Sequence, residues 1–169
     1  MSMKHHIPNA LTQLRYLLVP CLVGSWYCTA HNALWLPFVL FAIASITDFF
    51  DGYLARLWKV ESELGRMLDP NADKLLIATA LLLLVSSGEA PVIAVTLILG
   101  RELFVSGLRE FMAARNSTIH VSKLAKWKTA SQMVAVGGML WCHADAYMQP
   151  FAAQVMLWIS AALAVITGA

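Results

Sequence analysis

The chain contains 169 residues, of which 59% are hydrophobic and 13% are charged, whereas soluble domains carry roughly 25% charged residues. Twelve lysines and arginines against ten aspartates and glutamates leave a net charge of only +2, so the composition excludes intrinsic disorder and a nucleic-acid-binding module. The three cysteines have no CxxC spacing, which excludes a disulfide scaffold and a thiolate zinc site. The remaining class is an all-α polytopic membrane protein, with room for about six spans of about 20 residues.

Apolar stretches separated by polar residues and helix breakers predict six transmembrane helices. In chain order these spans cover about Asn9–Ala30, Leu34–Leu57, Met67–Ser87, Ala90–Ala114, Lys126–Trp141 and Tyr147–Ala169. No internal repeat or low-complexity segment divides the chain, so we expect one membrane domain over residues 1–169. The last span reaches Ala169 without a basic residue to anchor its end; we therefore expect the natural chain to continue beyond it.

Basic residues are distributed unevenly among the predicted connections. The connections after the first, third and fifth spans contain no lysine or arginine, and their titratable residues are His31, Glu89, His143 and Asp145. All loop cations lie at the N-terminus or in the other two connections. Because cytoplasmic loops carry the excess of basic residues, this pattern predicts a cytoplasmic N-terminus.

Four aspartates lie where the second span ends and the third begins, although ionisable residues inside membrane spans are costly. Asp48 and Asp51 fall on one helix face at about 100° per residue, and Asp69 and Asp73 share a face one turn apart. A short connection makes the two helices antiparallel neighbours. The four carboxylates can therefore converge near the cytoplasmic end of the helices.

Four like charges in a low dielectric repel and protonate unless a cation lies among them. All-oxygen ligands favour Mg²⁺, Mn²⁺ or Ca²⁺, and the absence of a neighbouring Cys or His argues against zinc. Gly52 and Ala55, on the same face, leave room for a ligand, although small residues more commonly serve close helix packing. Salt bridges to Arg56, Arg66 and Lys74 are the alternative use of the aspartates, but pairing alone does not require four carboxylates on two facing stripes.

Eight residues at fixed spacings connect the two spans. They are Asp48, Asp51, Gly52, Ala55, Arg56, Gly65, Asp69 and Asp73. This pattern resembles the complete motif of the CDP-alcohol phosphotransferases, which transfer a phosphatidyl-type group from a CDP-linked lipid to an alcohol and release CMP. The resemblance implies six transmembrane helices around a polar cavity open to the cytoplasm, in a homodimer of the bacterial inner membrane.

The resemblance also assigns roles to residues. It implies that Asp48, Asp51 and Asp69 bind Mg²⁺ or Mn²⁺, as two ions, and that Asp73 is the general base and also contacts a metal. It implies a binding pocket for the CDP-linked lipid formed by Asn9, Thr12, Gly52, Ala55, Arg56 and Gly65.

Further segments, at residues 8–15, 101–112 and 126–132, resemble one branch of that family, the bacterial phosphatidylglycerophosphate synthases. For that branch the donor is CDP-diacylglycerol and the acceptor is sn-glycerol 3-phosphate. The cations expected to bind the acceptor phosphate are Arg101, Arg109, Lys126 and Lys128. Alternatively, Arg101 pairs with Glu102 or Glu110, and the lysines only anchor a helix at the membrane surface.

Two other functions stay open at this point. The motif identifies the donor and not the acceptor, so another phosphatidyltransferase such as a cardiolipin synthase also fits it. A divalent-cation transporter would also need intramembrane carboxylates, but transporter sites usually lie near the midplane between repeats. Here the acidic cluster lies toward one face and no repeat is visible, which favours the enzyme.

Overall fold

The computed structural model describes the backbone of residues 6–28, 34–58, 63–115, 123–145 and 151–168, and the side chains of residues 14–27, 34–47, 71–112, 115, 129–145 and 151–166. The described backbone forms six α-helices. They are α1 (His6–Cys28), α2 (Leu36–Trp58), α3 (Glu63–Ser86), α4 (Val92–Ala114), α5 (Lys123–Ala144) and α6 (Phe151–Gly168). The all-α prediction is confirmed over these ranges. Within them, no helix is both long enough and apolar enough to cross a membrane.

The helix ends differ from the predicted spans where polar residues or prolines adjoin the apolar stretch. Helix α3 begins at Glu63, four residues before the predicted start, because a helix can continue through polar residues that a hydropathy pattern leaves out. Pro70 therefore lies inside α3, where it cannot donate a hydrogen bond to the carbonyl of Arg66. Helix α6 is described from Phe151 onward, and the first four residues of the predicted sixth span lie outside the described residues.

The chain divides into two compact units, and the boundary between Leu83 and Leu84 lies inside α3. In the first unit α1 packs against α2. Its buried side chains follow helical spacing: α1 contributes Val19 and Leu22, α2 contributes Phe41 and Ala44, and α3 contributes Ala72, Leu76, Ile77, Ala80, Leu81 and Leu83. This spacing buries one face of each helix.

In the second unit α6 packs against both α4 and α5. The buried face of α5 includes Val136 and Leu140, and that of α6 includes Leu157 and Ala161. A Cβ placed on Gly138 would lie 3.4 Å from the Cβ of Ala153, so α5 and α6 approach closely here and leave room for a small side chain only. Beside the same interface the Ser160 hydroxyl donates to Ser131 Oγ at 3.0 Å.

The turn from α3 to α4 is closed by backbone hydrogen bonds. The amide of Gly88 donates to the carbonyl of Val85, and the amide of Glu89 donates to that of Leu84, each at 3.0 Å. This is the Schellman pattern, and Gly88 has the positive φ of 79° that its central position requires. The Glu89 carboxylate contacts His143 at the end of α5, so the turn and that helix end lie side by side.

Candidate active site

A buried ion pair joins α1 to α3 in the first unit. Arg15 Nη1 donates to Asp73 Oδ1 at 2.7 Å. The Arg15 side chain is 0% exposed, whereas the Asp73 side chain is 25% exposed. Arg15 precedes the buried residues Val19 and Leu22 by one and two turns of α1, so it lies on the apolar face of that helix. A guanidinium at such a position needs a carboxylate partner because an unpaired buried charge is strongly unfavourable.

The predicted metal ligands lie on two helices of the same unit. Asp48 and Asp51 belong to α2, and Asp69 belongs to α3 with Asp73. The helical spacing on which the prediction depended is therefore present in both segments. The side chains of Asp48, Asp51 and Asp69 lie outside the described residues, and of the four only the Asp73 carboxylate has described contacts. Among the described side chains, no three His, Cys, Asp or Glu residues form a group that could hold a metal ion.

The residues predicted to bind the CDP-linked lipid also lie on helices of the first unit. Asn9 and Thr12 belong to α1, and Gly65 belongs to the first turn of α3. Gly52, Ala55 and Arg56 belong to α2. The side-chain positions of all six lie outside the described residues, so their assignment stays a prediction.

Arg101, one of the predicted acceptor residues, holds α4 to α6. Its Nε donates to the carbonyl oxygen of Ala164 at 3.0 Å, and its Nη1 lies 3.6 Å from Glu102 Oε1. The Arg101 side chain is only 10% exposed, on the face of α4 that includes the buried Ala94 and Ile98. Arg101 thus contacts α6 within the second unit, and the pairing with Glu102 considered from the sequence is present; its binding of the acceptor phosphate stays a prediction.

Arg109 differs from Arg101 in its surroundings, although it lies only eight residues, or little more than two turns, further along α4. Arg109 is exposed, and it forms no ion pair with any described residue. Lys126 and Lys128 belong to the second turn of α5, and their side chains lie outside the described residues. Of the four cations predicted to bind the acceptor phosphate, Arg109 is therefore the one with a described and accessible side chain.

Arg15 ends the segment at residues 8–15 that resembles the family branch, but the sequence patterns assigned it no role. A cation on the apolar side of a predicted span was itself a signal, because an ionisable residue inside a span requires a partner and a reason. Gln132 is a second polar residue on a buried face: it is 2% exposed, and its Nε2 has no hydrogen-bond partner among the described residues. The sequence patterns did not predict a contact of Arg15 or Gln132 with a residue distant in the chain.

The chain is similar in sequence to known proteins. A family model described as CDP-alcohol phosphatidyltransferase matches residues 5–166. A protein of Cereibacter sphaeroides named CDP-diacylglycerol--glycerol-3-phosphate 3-phosphatidyltransferase is 48% identical over 171 residues, which covers 98% of this chain and 77% of the relative. Relatives with the same name from Rickettsia bellii and Haemophilus influenzae are 39% and 41% identical, and the matches cover 99% and 96% of this chain and 94% and 89% of those relatives.

The family match includes all four helices that carry the motif and the predicted acceptor residues, together with the Arg15–Asp73 pair. The resemblance stated from eight motif positions is thus confirmed by a match across nearly the whole length. The chain belongs to the CDP-alcohol phosphatidyltransferase family.

Proposed function

We propose that this chain is the enzyme that transfers the phosphatidyl group of CDP-diacylglycerol to sn-glycerol 3-phosphate, giving phosphatidylglycerophosphate and CMP. The relatives described above, at 39–48% identity, carry the name of that activity. The structural observation that carries the proposal is the Asp73 carboxylate, the last position of the family motif. It is held at 2.7 Å by a buried guanidinium and still has a quarter of its surface exposed.

In the proposed reaction Asp73 is the general base. A hydroxyl oxygen of glycerol 3-phosphate attacks the phosphorus of the phosphatidyl group, the bond from that phosphorus to the CMP oxygen breaks, and the hydroxyl proton passes to the Asp73 carboxylate. An ionised carboxylate suits this role, and its pairing with Arg15 stabilises the ionised form. A quarter of the Asp73 side chain is exposed.

We propose that Asp48, Asp51 and Asp69, with Asp73, hold two Mg²⁺ or Mn²⁺ ions. The donor set fits such ions, because it consists of carboxylates only, and the helical form of α2 and α3 groups them in pairs one turn apart or less. When bound, the ions neutralise charge on the diphosphate and stabilise the departing CMP. Gly52, Ala55, Arg56 and Gly65, together with Asn9 and Thr12, are proposed to bind the CDP part of the donor.

The acceptor phosphate is proposed to bind at Arg109, Lys126 and Lys128, with Arg101 supporting α4. Exposure of the Arg109 side chain supports this choice. The bonds from Arg101 to Ala164 and toward Glu102 already occupy part of its guanidinium. A small anionic acceptor suits such cations better than a bulky lipid alcohol does, which favours glycerol 3-phosphate over the acceptor of a cardiolipin synthase.

We propose further that the chain works as one integral membrane domain with its N-terminus and active site at the cytoplasmic face. The composition supports this, since 59% of the residues are hydrophobic. So do large apolar side chains that remain exposed on α4 and α6, among them Ile93, Leu103, Phe104 and Ile166. Exposed apolar surface of this kind favours a lipid surrounding over water. A homodimer remains a prediction from the family resemblance.

The test is an acceptor comparison with the purified full chain in mixed micelles of CDP-diacylglycerol and Mg²⁺. CMP release is measured with glycerol 3-phosphate, with phosphatidylglycerol and with no acceptor. We expect release with glycerol 3-phosphate only. Release that requires phosphatidylglycerol would identify a cardiolipin synthase instead, and absence of release with either acceptor would refute the proposed activity.

A further inference from the structure

The Arg15–Asp73 pair has an asymmetry that helix packing alone does not require. The guanidinium is fully buried and the carboxylate is a quarter exposed. Desolvating both partners of an ion pair can cost more free energy than their attraction contributes, so the partial exposure of Asp73 limits that cost and also leaves part of the carboxylate exposed. In the observed arrangement the guanidinium is enclosed by protein, whereas part of the carboxylate surface is exposed.

The contact also restricts the orientation of the carboxylate. An Asp side chain on a helix has two rotatable bonds, and the second rotates over a broad range of angles. The hydrogen bond from Nη1 to Oδ1 at 2.7 Å is short and charge-assisted. Holding Oδ1 in this way restricts rotation of the carboxylate and therefore limits the directions in which its other oxygen, Oδ2, can point.

The position of Arg15 within α1 makes it a rigid support. Its neighbours on the buried face, Val19 and Leu22, are 8% and 0% exposed, and α1 packs against α2. A long side chain enclosed by such packing has few rotamers available. A guanidinium also stays charged in an apolar surrounding, where a lysine would lose its proton more readily. Arg15 can therefore hold Asp73 in one orientation through many turnovers.

We infer that Arg15 is a positioning residue for Asp73, which it orients toward the acceptor hydroxyl without itself touching either substrate. This inference rests on the proposed function, because it assumes that Asp73 accepts the proton. A displacement of about 1 Å in a catalytic group can cost about a hundredfold in rate. Loss of Arg15 should thus lower kcat while substrate binding is preserved.

The test compares Arg15→Met and Arg15→Lys with Ser25→Ala, a control on the same helix whose buried hydroxyl donates to the carbonyl of Leu22. For Arg15→Met we expect kcat to fall about a hundredfold, with the KM of each substrate changed by less than about threefold. Arg15→Lys, which restores a cation and one hydrogen bond, should recover part of the lost kcat. Ser25→Ala should keep the kcat of the wild type.

Thermal unfolding of Arg15→Met, Asp73→Asn and the double variant gives a readout that does not depend on activity. If the two side chains are partners, each single change lowers Tm. The Tm of the double variant should then be no lower than that of the less stable single variant, because removing both members of the pair leaves neither charge without the other. Decreases in Tm that simply add would show that the pair is not coupled, which would overturn the inference.

The outcomes separate the two claims. A wild-type protein that releases no CMP refutes the proposed function. If the wild type is active, two results for Arg15→Met refute the positioning role alone. One is an unchanged kcat, and the other is a KM raised by the same factor by which kcat is lowered. If Arg15→Met does not fold, Arg15→Lys decides: a lower kcat at unchanged Tm and KM supports the role, and an unchanged kcat contradicts it.

Discussion

Arg109 is the side chain on which the proposed acceptor specificity most depends. It is exposed, and it forms no ion pair with another described residue, which suits a side chain that binds an anion. Arg109→Ala should raise the KM for glycerol 3-phosphate about ten- to a hundredfold, the cost of one charged hydrogen bond of roughly 1.5–3 kcal/mol. The KM for CDP-diacylglycerol should change much less.

The matched control is Arg56→Ala, because Arg56 belongs to the donor motif. That change should raise the KM for CDP-diacylglycerol and leave the KM for glycerol 3-phosphate nearly unchanged. Steady-state kinetics with each substrate varied in turn measures both values. If Arg109→Ala raised the KM of both substrates equally, Arg109 would have a structural role. The choice of acceptor would then rest on the similarity to the relatives alone.

Arg101 should affect stability more than acceptor affinity. Its Nε bond to the Ala164 carbonyl joins α4 to α6 at 3.0 Å, and charged hydrogen bonds of this kind contribute roughly 1.5–3 kcal/mol. Arg101→Ala should therefore lower the free energy of unfolding by about that amount, as denaturant titration would measure, whereas Arg109→Ala should leave it unchanged. Equal stability of the two variants would contradict the structural role of Arg101.

At the scale of single residues, sequence patterns pointed to Asp73 but not to the arginine that pairs with it. Asp73 was identified because family spacing and helical periodicity both pointed to it. Its partner Arg15 lies 58 residues away on another helix, and only the packing of the helices brings the two together. The sequence predicted the same role for Arg101 and Arg109 because they lie near each other on one helix. The hydrogen bond from Arg101 to the Ala164 carbonyl of α6 depends on helix packing, and no local sequence pattern predicts it.

The interface between α5 and α6 depends on a small residue at Gly138, whose added Cβ would meet Ala153 at 3.4 Å. Gly138→Ala should fold normally because that distance is an ordinary contact, whereas Gly138→Leu should lower the free energy of unfolding by about 1–3 kcal/mol through overpacking. Gly24→Leu is the control, since a Cβ on Gly24 meets nothing within 4 Å. Thermal unfolding of the three variants checks this. Equal decreases in stability for Gly138→Leu and Gly24→Leu would contradict the close approach of α5 and α6.

The six helices were predictable as elements because their apolar stretches are long and are separated by breakers such as Ser87, Gly88 and Pro91. Their ends were less predictable. Hydropathy does not mark the polar first turns of α3 or α5, yet backbone hydrogen bonds continue the helix there. For the last helix, described from Phe151 onward, the predicted start at Tyr147 lies outside the described residues.

Across the whole molecule, the proposed orientation can be tested by labelling with a membrane-impermeant thiol reagent. In a background with Cys21, Cys28 and Cys142 replaced by serine, Glu61→Cys should react only from the cytoplasmic side. Ser87→Cys, in the turn between α3 and α4, should react only from the opposite side. Ser87 is preferred to Glu89 because the Glu89 carboxylate contacts His143. The reverse labelling pattern would contradict the orientation derived from the basic residues.

The most direct test of the proposed function follows labelled glycerol 3-phosphate into lipid. Purified wild-type protein is incubated with CDP-diacylglycerol, labelled glycerol 3-phosphate and Mg²⁺, and chloroform-soluble label is compared with released CMP. We predict equal amounts of both, abolished by EDTA and by Asp73→Asn, and retained in Ser25→Ala. Full incorporation in Asp73→Asn or in excess EDTA, or CMP release without lipid labelling, would contradict the assigned chemistry.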